Sequence, residues 1–124
     1  MKNYSFGKKE TLCSKLVIDK LFKNGKSIKV FPLRVVYLEL EKSEETAKVL
    51  ISVPKKRFNK AVSRNRLRRL IRETYRLNKL EVCEHWNAQG KYFALAFVYI
   101  GNEIADFRQM DNCMKQILLK LKSV

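Results

Sequence analysis

The chain predicts an α+β fold, a two-layer sandwich built on a mostly antiparallel sheet, and three observations carry that prediction. Apolar residues recur at helical spacing in three stretches, alternate with other residues from Phe31 to Leu40, and occupy both parities from Tyr92 to Ile100. The resulting order is helix, strand, strand, helix, strand, helix. At 124 residues the chain is one domain, 1–124, long enough for a core without disulfide or metal staples.

Residues 1–9 read as a flexible basic lead. Thr11 is placed to cap a first helix over 12–23, with Leu12, Leu16, Val17, Ile18, Leu21 and Phe22 on a broad apolar face and Gly25 as its stop. From Phe31 to Leu40 the alternation sets Val36, Leu38 and Leu40 on one face of a strand and Val35, Tyr37 and Glu39 on the other. After a polar turn from Glu41 to Thr46, Val49 to Val53 returns as the second strand of a hairpin, closed by Pro54. A residue before proline avoids helical angles, so the next helix begins near Lys60 or Ala61.

That helix carries the strongest signal in the chain. The stretch from Lys55 to Lys79 holds 11 of the 27 basic residues against one acid, Glu73. At about 100° per residue, Arg64, Asn65, Arg68, Arg69, Arg72 and Arg76 share one arc, while Leu67, Leu70, Ile71, Thr74 and Leu77 share the opposite one. A solvated charged face alternates signs or pairs Glu with Lys one turn away, and Glu73 offers only fragments of such pairing. Guanidinium groups match phosphate oxygens two at a time and stack on bases, so this face predicts a polyanion partner.

A polar link around Glu84 to Gly90 follows, then the buried strand from Tyr92 to Ile100. A last helix, about 106–122, opens with Asp106 and Gln109 in capping-box spacing. Its Phe107, Met110, Met114, Ile117, Leu118 and Leu121 recur at helical spacing and read as core.

Composition narrows the function. A net charge of +15 attracts nucleic acid or an anionic membrane. The longest apolar run, Tyr92 to Ile100, is too short to span a bilayer, and no apolar segment follows Met1-Lys2-Asn3, so a cytoplasmic protein with no membrane partner is expected. Cys13, Cys83 and Cys113 are widely spaced, lack a C-x-x-C pair and read as reduced thiols. With His85 the sole histidine, no metal site and no Cys-His nucleophile pair is expected. Gly25-Lys26-Ser27 imitates the end of a phosphate-binding loop, but Lys20 stands where that loop needs glycine. The acids are scattered and form no catalytic pair, so no catalytic residue is assigned. A helix-turn-helix that binds DNA needs a short turn from a preceding helix, whereas a strand precedes Ala61. No DNA partner is expected.

The runs Ser52-Val53-Pro54-Lys55-Lys56 and Lys60-Ala61-Val62-Ser63-Arg64-Asn65-Arg66-Leu67-Arg68-Arg69-Leu70-Ile71-Arg72 resemble the signature of the bacterial ribonuclease P protein subunit. The resemblance implies a domain similar to one found in ribosomal proteins, with a four-stranded sheet, three helices and a left-handed βαβ crossover around the Arg helix. A short further strand near Lys26 to Val30 would complete the four. It also implies a protein that assists removal of the 5′ leader of precursor tRNA, with the hydrolysis done by an RNA subunit using Mg²⁺ and no cofactor held by the protein. Its RNA-subunit contacts would be Lys60, Arg64, Asn65, Arg66, Arg68, Arg69, Arg72 and Arg76. Its leader cleft, between the first helix and the open sheet face, would use Phe22, Tyr37, Lys55 and Lys56, aromatic platforms beside cations. The chain departs from family tendencies at Ile18, where many relatives have an aromatic, and at Phe97-Val98, in a strand where the family tends to place a basic residue. The competing function is a non-catalytic RNA-binding protein, ribosomal or RNA-remodelling, that uses the same helix.

Overall fold

The computed structural model describes residues 10–124 except 13 and 44, in the order α1 (Lys15–Asn24), β1 (Lys26–Val30), β2 (Leu33–Leu40), β3 (Ala47–Ser52), α2 (Ala61–Ala88), β4 (Tyr92–Tyr99) and α3 (Phe107–Lys122). The expected basic lead at 1–9 and the thiol of Cys13 lie outside the described residues. The strands form one sheet in the order β1-β2-β4-β3.

β4 takes the centre because it is apolar on both parities. Phe93, Leu95 and Phe97 point into the large core under α2 and α3, while Ala94 and Ala96 point the other way, beneath α1. Large side chains fill the first layer; small ones let α1 lie close on the second. This corrects the expected hairpin of β2 with β3. β2 pairs antiparallel with β4, and β3 pairs parallel with β4 through a β3–α2–β4 crossover. The true hairpin is β1–β2, turning at Phe31-Pro32, so the expected strand from Phe31 starts only at Leu33. The short strand at Lys26–Val30 is present as the resemblance implied. The sheet with α2 and α3 makes the two layers, and α1 adds partial cover to the opposite face.

α1 begins later than expected: Ser14, not Thr11, caps it, its hydroxyl accepting from the Val17 amide. Thr11 instead forms a parallel bridge with Val49, and the Leu12 amide donates to the Val49 carbonyl. The segment therefore laces the free edge of β3, with Leu12 buried under α1. Of the expected apolar face, Leu21 is fully buried, but Leu16 and Phe22 are exposed. Gly25 ends the helix with an ordinary negative φ. Its need for glycine is steric, since a Cβ there would fall 2.3 Å from the Leu21 carbonyl oxygen.

α2 spans 28 residues, about 42 Å at the usual rise. It runs through the expected polar link at 84–88, because Val82 and Trp86 continue its buried stripe, with Trp86 stacked on Phe93 at 4.1 Å between centroids. Gly90, at φ 68°, supplies the left-handed residue just beyond the helix. The stripe passes through Leu67, Ile71, Thr74, Tyr75, Lys79, Val82 and Trp86. Leu77 lies off it and is exposed, contrary to the simple projection. α3 starts as expected, with the Asp106 carboxylate accepting from the Gln109 amide. Its Met110, Met114, Ile117, Leu118 and Leu121 are core, but Phe107 is 46% exposed.

Candidate nucleic-acid interface

Lys60, the N-cap of α2, makes no side-chain cap, and the first turn holds no acid. The positive end of a long helix is thus left open beside three exposed lysines, Lys55, Lys56 and Lys60. Upstream, Pro54 accepts from the amides of Arg57 and Phe58, and Phe58 packs on Tyr99 at 5.7 Å. Arg57 holds the same loop by donating to the Asn102 side chain at 2.8 Å. The lysines are therefore carried on an anchored turn.

The arginines of α2 divide into two groups. Arg64 donates to the Phe58 carbonyl at 2.7 Å, and Arg68 donates to the Asn65 carboxamide at 2.8 Å. Arg76 is paired with Glu73 at 2.5 Å, and this hydrogen bond holds the Glu73 carboxyl below its usual range while raising Arg76. These three are half-buried and oriented by partners. Arg66, Arg69 and Arg72 are exposed, with no hydrogen bond or ion pair among the described residues. Asn65 serves as a positioning group for Arg68. The partnered cations hold the surface in shape; the free ones are available to a polyanion.

The expected leader cleft does not assemble as the sequence grouped it. Phe22 is half-exposed on α1, which lies over Val36, Leu38, Ala94 and Ala96. Tyr37 points to the opposite face, packing into the α2/α3 core with its ring 6.5 Å from Phe93. It also lines a recess of about 240 Å³ with Asn24, Lys26 and Val124. Strand alternation forces this separation, since Val36 already occupies the α1 side.

The α1 side instead holds two cations that sequence reasoning missed. In register across all four strands, Lys29 faces Arg34, Arg34 faces Val98, and Val98 faces Ser52. Lys29 and Arg34 are exposed, so this row beyond the reach of α1 is an open cationic strip. Arg34 stands directly across from Val98, where the family resemblance led one to expect a basic residue. The signal was available: Arg34 shares parity with Val36 and Leu38. The strip continues past Ser52 into the turn carrying Lys55 and Lys56.

Among the described residues, no group of three or more His, Cys, Asp or Glu side chains comes together as a metal site, and no helix is long and apolar enough to cross a membrane.

The family model described as Ribonuclease P matches residues 6–122 of the chain. A "Ribonuclease P protein component" from Porphyromonas gingivalis is 39% identical over 119 residues, covering 95% of this chain and 87% of the relative. An RNase P protein structure from Thermotoga maritima aligns with a TM-score of 0.66 at 26% identity, covering 93% of this chain and 97% of the other. The RNase P protein structure from Staphylococcus aureus gives a TM-score of 0.75 at 20% identity over the same shares, which speaks for the fold alone.

Proposed function

We propose, from the premise that the chain belongs to the ribonuclease P protein family, that α2 is the surface on which it binds the RNA subunit. The chain is a protein subunit of ribonuclease P, part of a ribonucleoprotein endonuclease that works in tRNA processing, and an RNA partner comes with that membership. The observation that carries the proposal is the uncompensated charge of Arg66, Arg69 and Arg72 beside an uncapped helix start. Each guanidinium can take two phosphate oxygens, and neutralising phosphates releases counterions, which drives the association. Lys60, Arg64, Asn65, Arg68 and Arg76 complete the expected contacts of α2, and Arg64, Asn65, Arg68 and Arg76 spend part of their hydrogen bonding within the protein.

The second half of the reading concerns precursor tRNA. Its single-stranded 5′ leader would run over the open sheet face, with phosphates on Lys29, Arg34, Lys55 and Lys56 and a base against Phe22. The chemistry would rest with the RNA subunit and its Mg²⁺, which stabilise the attacking and leaving oxygens. The protein's part is to lower repulsion between two RNAs and so favour both substrate and ion binding. A cytoplasmic setting belongs to this reading and is supported by the unpaired thiols of Cys83 and Cys113.

The test is reconstitution with a bacterial ribonuclease P RNA at low Mg²⁺. Precursor tRNA should be cut only slowly by the RNA alone, much faster with both, and not at all by the protein alone. Robust cleavage by purified, RNA-free protein would overturn the proposal.

A further inference from the structure

Where α3 starts, its first residue leans toward the middle of the cationic helix. Phe107 lines a recess of about 330 Å³ together with Arg66, Arg69, Leu70, Glu73, Ala105 and Asp106. Nearly half of its surface stays exposed, although five other apolar positions of α3 that share its spacing are buried. A single exposed aromatic needs no explanation. One that floors a concavity beside two guanidiniums with no partner does.

The two acids of the recess do not cancel those cations. Glu73 is already paired with Arg76, and the Asp106 carboxylate accepts the Gln109 amide at the positive end of α3. Arg66 and Arg69 are left to an outside anion. An apolar ring flanked by two free guanidiniums is the combination that binds a single-stranded nucleotide, the base on the ring and the adjoining phosphates on the cations. Bases stacked within a duplex offer no free face, so the occupant must be unpaired.

We infer that this recess receives one unpaired nucleotide of the RNA subunit, its base stacked on Phe107 and its flanking phosphates held by Arg66 and Arg69. The inference rests on the reading that α2 faces that RNA. It adds a base-stacking anchor beside the guanidiniums, and so a point that fixes register.

The experiment uses the full chain and the ribonuclease P RNA, with Phe107→Leu and Phe107→Trp. Because Phe107 is half-exposed, both variants should melt within a few degrees of the parent. Phe107→Leu should bind the RNA subunit roughly 5- to 150-fold more weakly, the range for loss of one base–aromatic stack, with an unchanged salt slope. Phe107→Trp should keep the affinity, and its indole fluorescence should be quenched when the RNA subunit is added. The parent chain, whose Trp86 is fully buried, supplies the background. If the parent binds with steep salt dependence while Phe107→Leu binds equally well and the indole is not quenched, the recess is empty and the α2 reading stands. If the parent does not bind the RNA subunit at all, the α2 reading fails first. Quenching by precursor tRNA but not by the RNA subunit overturns the assigned occupant.

Discussion

Lys79 of α2 donates to both carboxylate oxygens of Glu10, at 2.5 and 2.7 Å, across 69 residues of sequence. The Lys79 side chain is only 5% exposed. This pair fixes the segment that laces the β3 edge to the back of the RNA-facing helix. Glu10→Gln should therefore take the carboxylate charge away from a buried ammonium and cost about 1 to 3 kcal/mol, because the carboxamide oxygen can still accept from Lys79. Urea unfolding measures it. A loss under about 0.5 kcal/mol would show that the pair does not hold the segment, within the range of ordinary surface substitutions.

The separation of Tyr37 from Phe22 makes a prediction about the leader. In assembled complexes, Arg34→Ala should lower the ratio of precursor to mature tRNA affinity several-fold and reduce the salt slope for precursor by about 0.7, one single-strand phosphate. Tyr37→Ala should leave that ratio unchanged, because its ring packs against Phe93 on the other face. Mature tRNA, which has no leader, is the control. The opposite outcome, a response at Tyr37 and none at Arg34, would remove the open strip from the account.

Cys113 gives a pH prediction with a definite sign. Burial pushes its thiol up to about 11, and the thiol donates to the Val30 carbonyl at 3.0 Å. The folded state thus favours the protonated form. That contribution is complete below the ordinary value of 9.0 and is lost as pH rises toward 11. From pH 8 to pH 10.5 the parent should lose more stability than Cys113→Ala, in which the thiol is absent. At pH 8, alkylation of Cys113, mapped by mass spectrometry, should require unfolding. Rapid labelling of the native chain would contradict its burial.

The parts of this molecule that were readable from sequence are those set by near neighbours. The Asp106 cap and the start of α2 at Ala61 each follow from residues within a few turns, and β4 announced its burial by being apolar on both parities. Strand partners were not readable, because β3–β4 pairing is parallel and brings together residues more than forty apart. Trp86 was hidden among polar neighbours, and its role shows only when Phe93 supplies the surface it covers. Lys79 looked like one more surface cation until Glu10 arrived from the other end of the chain. The face of Tyr37 was correct from alternation alone; grouping it with Phe22 required knowing which face α1 covers. Phe107 fits helical spacing with the α3 core, yet it sits at the helix start, where the sheet no longer covers it.

If the unpartnered cations of α2 bind the RNA subunit, the salt dependence of that binding reports it. With about four uncommitted cations on this helix, Arg66, Arg69, Arg72 and Lys60, the parent should show log Kd rising with log salt at a slope of roughly 3 to 4. Replacing Arg66, Arg69 and Arg72 together by alanine should lower that slope by about 2 to 3 and weaken binding, while the melting temperature stays within a few degrees because all three are exposed. An unchanged slope in a folded triple variant would contradict the claim and place the RNA on another face.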